Sequence, residues 1–238
     1  ISTARKISLE ELNPAIRIMH SWGLEVVLGK FLFGEYNQFS GTVAQRSIDL
    51  QNMIDDDTIK AVFCSRGGYG TIQILDKVNF SNLRKNPKWI IGYSDITVLH
   101  SQLNRIGFAT LHATMPINFN ENSQKSLLSL KNSLFGLENV IESRSHKLNR
   151  FGKIKGEIVG GNLSILYSLL GSNSDIDTGG KILFIEDLDE YLYHVDRMLI
   201  NMYRNGKFRS LKGMIIGSMT EMRDNDVPFG KQADEIIF

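Results

Sequence analysis

The chain has 238 residues, 42% of them hydrophobic and 22% charged, with 27 Lys plus Arg against 26 Asp plus Glu for a net charge of +1. That balance excludes intrinsic disorder and suits one large or two small domains with a sizeable core. Basic and acidic residues number 15 and 13 before position 145 and 12 and 13 after it, so neither half offers the polycationic face that nucleic acid needs. Cys64 is the single cysteine, which rules out a disulfide framework and fits a reducing compartment. Apolar runs such as Trp89 to Ile91 and Ile182 to Ile185 are far shorter than the roughly 20 residues of a membrane helix, and no charged-then-apolar leader opens the chain. The expectation is a soluble, cytoplasmic protein with no membrane partner.

Ile1 to Ala4 reads as the end of a strand whose beginning is missing. Ser8 and Glu11 form a capping box ahead of Leu12, Ala15, Ile16 and Met19 at helical spacing, so a helix is expected over 8–22, stopped by Gly23. Leu24 to Leu28 reads as a short strand. Thr42 and Gln45 open a second helix to about Ile54, and Ile59 to Cys64 is a buried strand. The alternation continues with a helix over 70–77, an extended run over 89–93, a helix over 95–105, a strand over 108–111 and a helix over 123–134. Continuous apolar strands imply a mostly parallel sheet covered on both faces. Residues 1–141 are thus expected to form one doubly wound α/β domain. From 142 to 155 the composition turns to Ser, Lys, Arg, Asn and Gly, which reads as a linker. A smaller mixed α/β domain is expected over 156–238, with strands at 156–159, 181–185 and 213–216 and helices at 163–170 and 190–203.

Ligands of open α/β sheets sit beyond the carboxyl ends of the strands, and three segments there carry chemistry. Ser65-Arg66-Gly67-Gly68-Tyr69-Gly70 follows the strand that ends at Cys64, and its glycines let backbone N–H groups approach an anion. A dinucleotide fingerprint fails because Gln73 stands where a third glycine is required, and no phosphate-loop lysine follows. A tight turn with glycines for geometry alone is the competing reading. Gly92-Tyr93-Ser94-Asp95-Ile96 is a strand running into a helix, which resembles a nucleophile elbow with the Asp95 N–H facing the developing oxyanion. Ile96 replaces the second glycine of that motif, and a serine at such a joint also serves as a plain helix cap. Phe184-Ile185-Glu186-Asp187-Leu188-Asp189-Glu190 ends an apolar strand in carboxylates. Asp187, Asp189 and Glu190 suit the start of the following helix, whereas Glu186, last of the buried run, is placed to orient a histidine.

A serine nucleophile needs a base. Among His20, His100, His112, His146 and His194, His100 is turned away from Ser94 by the helical period, His146 lies in the linker, and His194 is spaced to pair with Glu190. His112, leaving a strand, is the best placed. No third ligand accompanies Glu190 and His194, so no metal site is expected.

With Arg66-Gly67-Gly68-Tyr69-Gly70, Gly92-Tyr93-Ser94-Asp95, Leu111-His112-Ala113-Thr114-Met115-Pro116, Gly160-Gly161-Asn162-Leu163 and Phe184-Ile185-Glu186-Asp187 through Asp196-Arg197-Met198-Leu199 in order, the chain resembles the LD-carboxypeptidase family of serine peptidases. That family includes muropeptide recycling enzymes and microcin C self-immunity proteins. The resemblance implies a two-domain peptidase with a Ser-His-Glu triad, no cofactor, commonly a homodimer, and a substrate whose C-terminal D-amino acid is cut from an L-configured centre. Ser94 matches the nucleophile, Glu186 the triad acid with Glu190 as runner-up, and Asp95 and Gly68 the oxyanion donors. Arg66 or His112 is expected to receive the substrate's terminal carboxylate. The family's histidine lies in a Gly-His segment near the C-terminus, whereas no histidine follows Gly217 here, so the expectation is that the chain stops short of it. Murein tetrapeptide is the expected substrate. A microcin C-type immunity peptidase and a noncatalytic binder are the alternatives.

Overall fold

Ser8 and Glu11 close their capping box in both directions and start α1 (Leu9–Ser21), which buries Leu12, Ala15 and Met19. Thr42 and Gln45 do the same for α2 (Val43–Asp55). In the computed structural model, which describes residues 1–238, the chain divides into two compact units. One comprises 1–100 and 109–142, the other 101–108 and 143–238. No helix is long and apolar enough to cross a membrane.

In the first unit, β1 (Ala61–Phe63), β2 (Trp89–Gly92) and β3 (Leu111–His112) form a parallel sheet in that order, with Val62 opposite Ile90 and Gly92 opposite His112. Main-chain bonds from Ile1 N to Phe63 O and from Ser65 N to Ile1 O bind the first residues alongside β1. The helix α3 (Thr97–Arg105), whose residues from Ser101 on fall in the second unit, begins after a single 3₁₀ turn at Ser94–Ile96, and α4 (Gln124–Leu134) is capped by the Ser123 hydroxyl. Ala15, Met19, Ile91, Phe119, Leu127 and Leu130 form one core cluster, so α1, β2 and α4 meet in it. Burial of side chains this size is the main stabilising term.

In the second unit, β4 (Ile158–Asn162), β5 (Ile182–Leu188) and β6 (Gly213–Thr220) form a second parallel sheet in chain order. Around it run α5 (Leu163–Ser168), α6 (Leu192–Arg204) and α7 (Ala233–Ile237). Leu163 and Leu166 of α5 and Val195, Met198, Leu199 and Met202 of α6 bury against Val159, Leu183 and Ile185. Crossover helices on parallel strands give the α/β architecture read from the sequence.

Several local expectations are corrected. Leu24 to Leu28 forms no strand. Leu24 and Val26 instead pack against the first core cluster, while Val27 and Leu28 stay exposed, because no ladder partner pairs the segment. The helix expected over 70–77 is two 3₁₀ turns, Thr71–Gln73 and Leu75–Lys77, held between Gly70 and Val78. The third strand forms at Leu111–His112 rather than 108–111, since the Phe108 N–H closes back on Leu103 O after α3. β5 runs on past Glu186 to Leu188.

Candidate active site

Ser94 sits where β2 ends and the 3₁₀ turn into α3 begins, and its backbone has φ = +59°. An L-residue adopts this left-handed conformation at a cost of about 1–3 kcal/mol unless the surroundings enforce it. Two neighbouring glycines leave room for it. Gly92 lies under Ile96, where an added Cβ would fall 2.7 Å from Ile96 Cγ1. Gly67 leaves room for the serine itself, since a Cβ there would meet Ser94 Cβ at 3.3 Å and Oγ at 3.4 Å. The glycine segment therefore packs its backbone directly on the serine. Gly68 has φ = +111° and Gly70 φ = +144°, conformations that glycine alone adopts readily. The Asp95 N–H is among the first amides of its turn, which have no intrahelical acceptor.

Asp95 is 1% exposed. Its Oδ2 accepts from Thr71 N at 2.9 Å, tying the serine joint to the residue that follows the glycine segment. Burial raises its carboxyl above the ordinary range, against the hydrogen bonds from Thr71 and the positive charge of Arg46. His112 pairs with Gly92 across the sheet, its ring 6.2 Å from Tyr93 and 5.9 Å from His100. Burial first, then His100, pushes His112 down to about 3, and burial pushes His100 down to about 4. Both rings are neutral at pH 7, so His112 offers a carboxylate no positive charge. His100 Nε2 lies 2.9 Å from Gly92 O, turned away from its own elbow as the helical period indicates. Arg66 points elsewhere, with Nη1 3.4 Å from both Glu11 Oε1 and Lys6 O.

Glu186 belongs to the second unit. It stands opposite Asn162 of β4, at a bulge where Gly217 and Ser218 of β6 face it as a pair. β5 pairs on past it to Leu188, so the carboxylate lies inside the strand, not at its end. Its Oε1 is buried without a hydrogen-bond partner. Burial first, then the negative charge of Asp187, lifts the carboxyl from its ordinary 4.5 to about 7, while a bond from Asn162 pulls it down. The other acids do not cap α6, whose N-cap is Tyr191. Asp187 instead supports the start of α5, whose N-cap is Asn162, accepting from Ser164 N at 2.9 Å and Asn162 Nδ2 at 2.8 Å. Asp189 pairs with Arg223, and Glu190 Oε2 holds His194 Nδ1 at 2.7 Å.

The first unit therefore brings Ser94, Asp95 and the Gly67 backbone together, with Gly68 next along the chain and facing Arg5, His112 on the adjoining strand, and Arg66 left on a surface pair. Sequence reasoning missed Arg46, which is 1% exposed and donates to Thr3 O and Gly70 O. Its only signal in the sequence was an arginine flanked by a helix's apolar positions.

The family model for the LD-carboxypeptidase N-terminal domain matches residues 1–113, and that for the LD-carboxypeptidase C-terminal domain matches 155–237. The chain is 38% identical over 213 residues to a probable murein peptide carboxypeptidase of Bacillus subtilis, covering 87% of this chain and 67% of that protein. It is 30% identical over 239 residues to the murein tetrapeptide carboxypeptidase of Pseudomonas aeruginosa, covering 95% and 78%. Among solved structures, muramoyltetrapeptide carboxypeptidase from Oxalobacter formigenes superposes with a TM-score of 0.87 at 25% identity, over 100% of this chain and 81% of that one. The wild-type microcin C7 self-immunity protein shares the fold, with a TM-score of 0.84 at 20% identity over the same shares.

Proposed function

Since the chain belongs to the LD-carboxypeptidase family, we propose that it is a cytoplasmic serine carboxypeptidase that releases D-alanine from murein tetrapeptide, acting as a homodimer in peptidoglycan recycling. The observation that carries the reading is the strained Ser94, held at φ = +59° with the Gly67 backbone against its hydroxyl. A peptidase nucleophile needs a serine presented at a sharp strand-to-helix turn beside backbone N–H donors.

In the proposed reaction Ser94 Oγ gives its proton to a base as it attacks the carbonyl carbon preceding D-alanine. The resulting oxyanion is received by the Asp95 and Gly68 N–H groups. The amine of D-alanine leaves with the proton that the base returns, and water then cleaves the ester on Ser94. A general base works best with a pKa near the operating pH, and the neutral His100 and His112 are far too weak. We assign that role to the histidine of the family's Gly-His segment, to which no residue of 1–238 corresponds. Glu186 is the acid that orients it, and its unpartnered Oε1 supports this, because a buried acceptor is stabilised by a donor. The substrate's terminal carboxylate is assigned to Arg66, released from Glu11, and to the N–H of neutral His112.

The test is D-alanine release from murein tetrapeptide by the full-length protein. Ser94→Ala abolishes it while leaving the circular dichroism spectrum intact; residual turnover at the parent rate would move the nucleophile elsewhere.

A further inference from the structure

Two buried charges hold the glycine segment, Arg46 through the Gly70 carbonyl and Asp95 through the Thr71 N–H beside its own serine joint, and the proposed reaction leaves both side chains without a role. Arg46 on α2 sends Nη1 to Thr3 O at 2.6 Å and Gly70 O at 2.8 Å, and Nη2 to Gln73 Oε1 at 2.6 Å. Its guanidinium lies 4.8 Å from the centre of the Phe39 ring. Gly70 is required for this approach, because a Cβ there would sit 2.7 Å from Arg46 Nη1. From the other side the Asp95 carboxylate holds Thr71 N, and the Thr71 hydroxyl pairs with that of Thr3 at 2.8 Å. Gly68 and Asp95, the two proposed oxyanion donors, are thus linked through Gly70 and Thr71 by groups that are each 1% exposed.

Desolvating a guanidinium and a carboxylate is costly, and a fold in need of stability alone is served as well by apolar side chains of the same volume. What the charged pair adds is fixed geometry. Oxyanion donors work only when they are aimed before the charge develops, and the Gly68 N–H lies on a segment whose glycines give it little rigidity of its own.

We propose that Arg46 and the Asp95 carboxylate are positioning residues that clamp the Gly67-Gly70 segment to the Ser94 joint, holding the Gly68 and Asp95 N–H groups on one oxygen. This rests on Ser94 being the nucleophile.

The test uses full-length protein, murein tetrapeptide and three variants, each shown folded by circular dichroism at the assay temperature. Asp95→Ala lowers kcat by roughly 100-fold, the scale of losing one oxyanion donor, with KM within about threefold. Asp95→Asn keeps an acceptor for the Thr71 N–H and returns kcat to within about tenfold of the parent. Arg46→Lys keeps the charge but lacks the planar fork that spans three acceptors, and loses about tenfold or more in kcat. The clamp is overturned if the folded variants match the parent in kcat, if the loss appears in KM alone, if Asn does no better than Ala, or if none of the three folds. Its failure is separable from that of the peptidase reading. An inactive parent or an active Ser94→Ala sinks both, whereas an active parent, a dead Ser94→Ala and unimpaired clamp variants sink the clamp alone.

Discussion

Replacing Glu186 by Gln moves stability and activity in opposite directions. In the folded chain burial and the neighbouring Asp187 hold the Glu186 carboxyl at about 7, whereas the unfolded chain ionises near 4.5. Between those values the folded state binds a proton that the unfolded state has lost, so the stability that Glu186 contributes is complete below about 4.5 and falls as the pH rises through 7. A shift from 4.5 to about 7 corresponds to a ceiling of about 3 kcal/mol, and solvent screening of a half-buried side chain brings the expected effect to roughly 1–2 kcal/mol. Gln has the same shape and no charge to desolvate. Urea unfolding at pH 8 therefore finds Glu186→Gln more stable than the parent by roughly 1–2 kcal/mol, and unfolding near pH 4.5 finds the two alike. D-alanine release falls by orders of magnitude in the same variant, because an amide no longer orients and stabilises an imidazolium. A stability difference that is equal at both pH values would refute the electrostatic reasoning. A normal rate would move the triad acid to Glu190, although that carboxylate is already bonded to His194.

Acid has the reverse effect through the buried imidazoles. His100 and His112 are held at about 4 and about 3 against an ordinary 6.5, so only the unfolded chain gains protons as the pH falls from 6.5 towards 4, and stability drains away over that interval. His100→Gln, whose amide reaches the same Gly92 carbonyl, flattens the fall of the melting temperature between pH 7 and 4.5; an unchanged slope would show that His100 is not responsible. Gly160→Ala is expected to destabilise the second unit by about 3 kcal/mol or more, since its φ is +135° and the added Cβ would overlap Phe184 O. A melting temperature within a degree of the parent would contradict the packing described for β4 against β5.

The elements that were legible in the sequence are those whose signals are local. Ser8 with Glu11 and Thr42 with Gln45 announce their helices because each capping box satisfies helix-end N–H groups within three residues. The runs at Val62, Ile90 to Ile91 and Leu183 to Ile185 announce buried parallel strands because both faces are covered. Leu24 to Leu28 looks like a strand by the same composition and is not one, for a ladder needs a partner and composition does not supply it. The glycine segment's continuation misleads in the other direction. Thr71 to Lys77 has helical residues, but Gln73 N closes on Gly70 O, Ile74 N on Thr71 O and Lys77 N on Ile74 O, three residues back and not four, so the chain takes two 3₁₀ turns.

The candidate site divides along the same line. Ser94 was readable because a strand, a turn and a helix follow one another along the chain, and the Gly67-Gly68 pair was readable because glycines in succession leave few side-chain reasons for being there. Arg46 and the buried half of Asp95 were not, since an arginine on an amphipathic helix normally lies in solvent and only the folded chain puts it on three acceptors from two distant segments. Glu186 reads as a strand end because the apolar run stops there, yet β5 pairs on to Leu188 and leaves it inside the sheet with an unpaired oxygen. Each is an ionisable group drawn wholly or partly out of water against its local pattern, and a sequence that agrees with its fold at most levels breaks such rules chiefly where it pays in stability for function. The departures from local expectation at Arg46, Asp95 and Glu186, more than the agreements elsewhere, therefore single out the residues whose substitution is to be measured first.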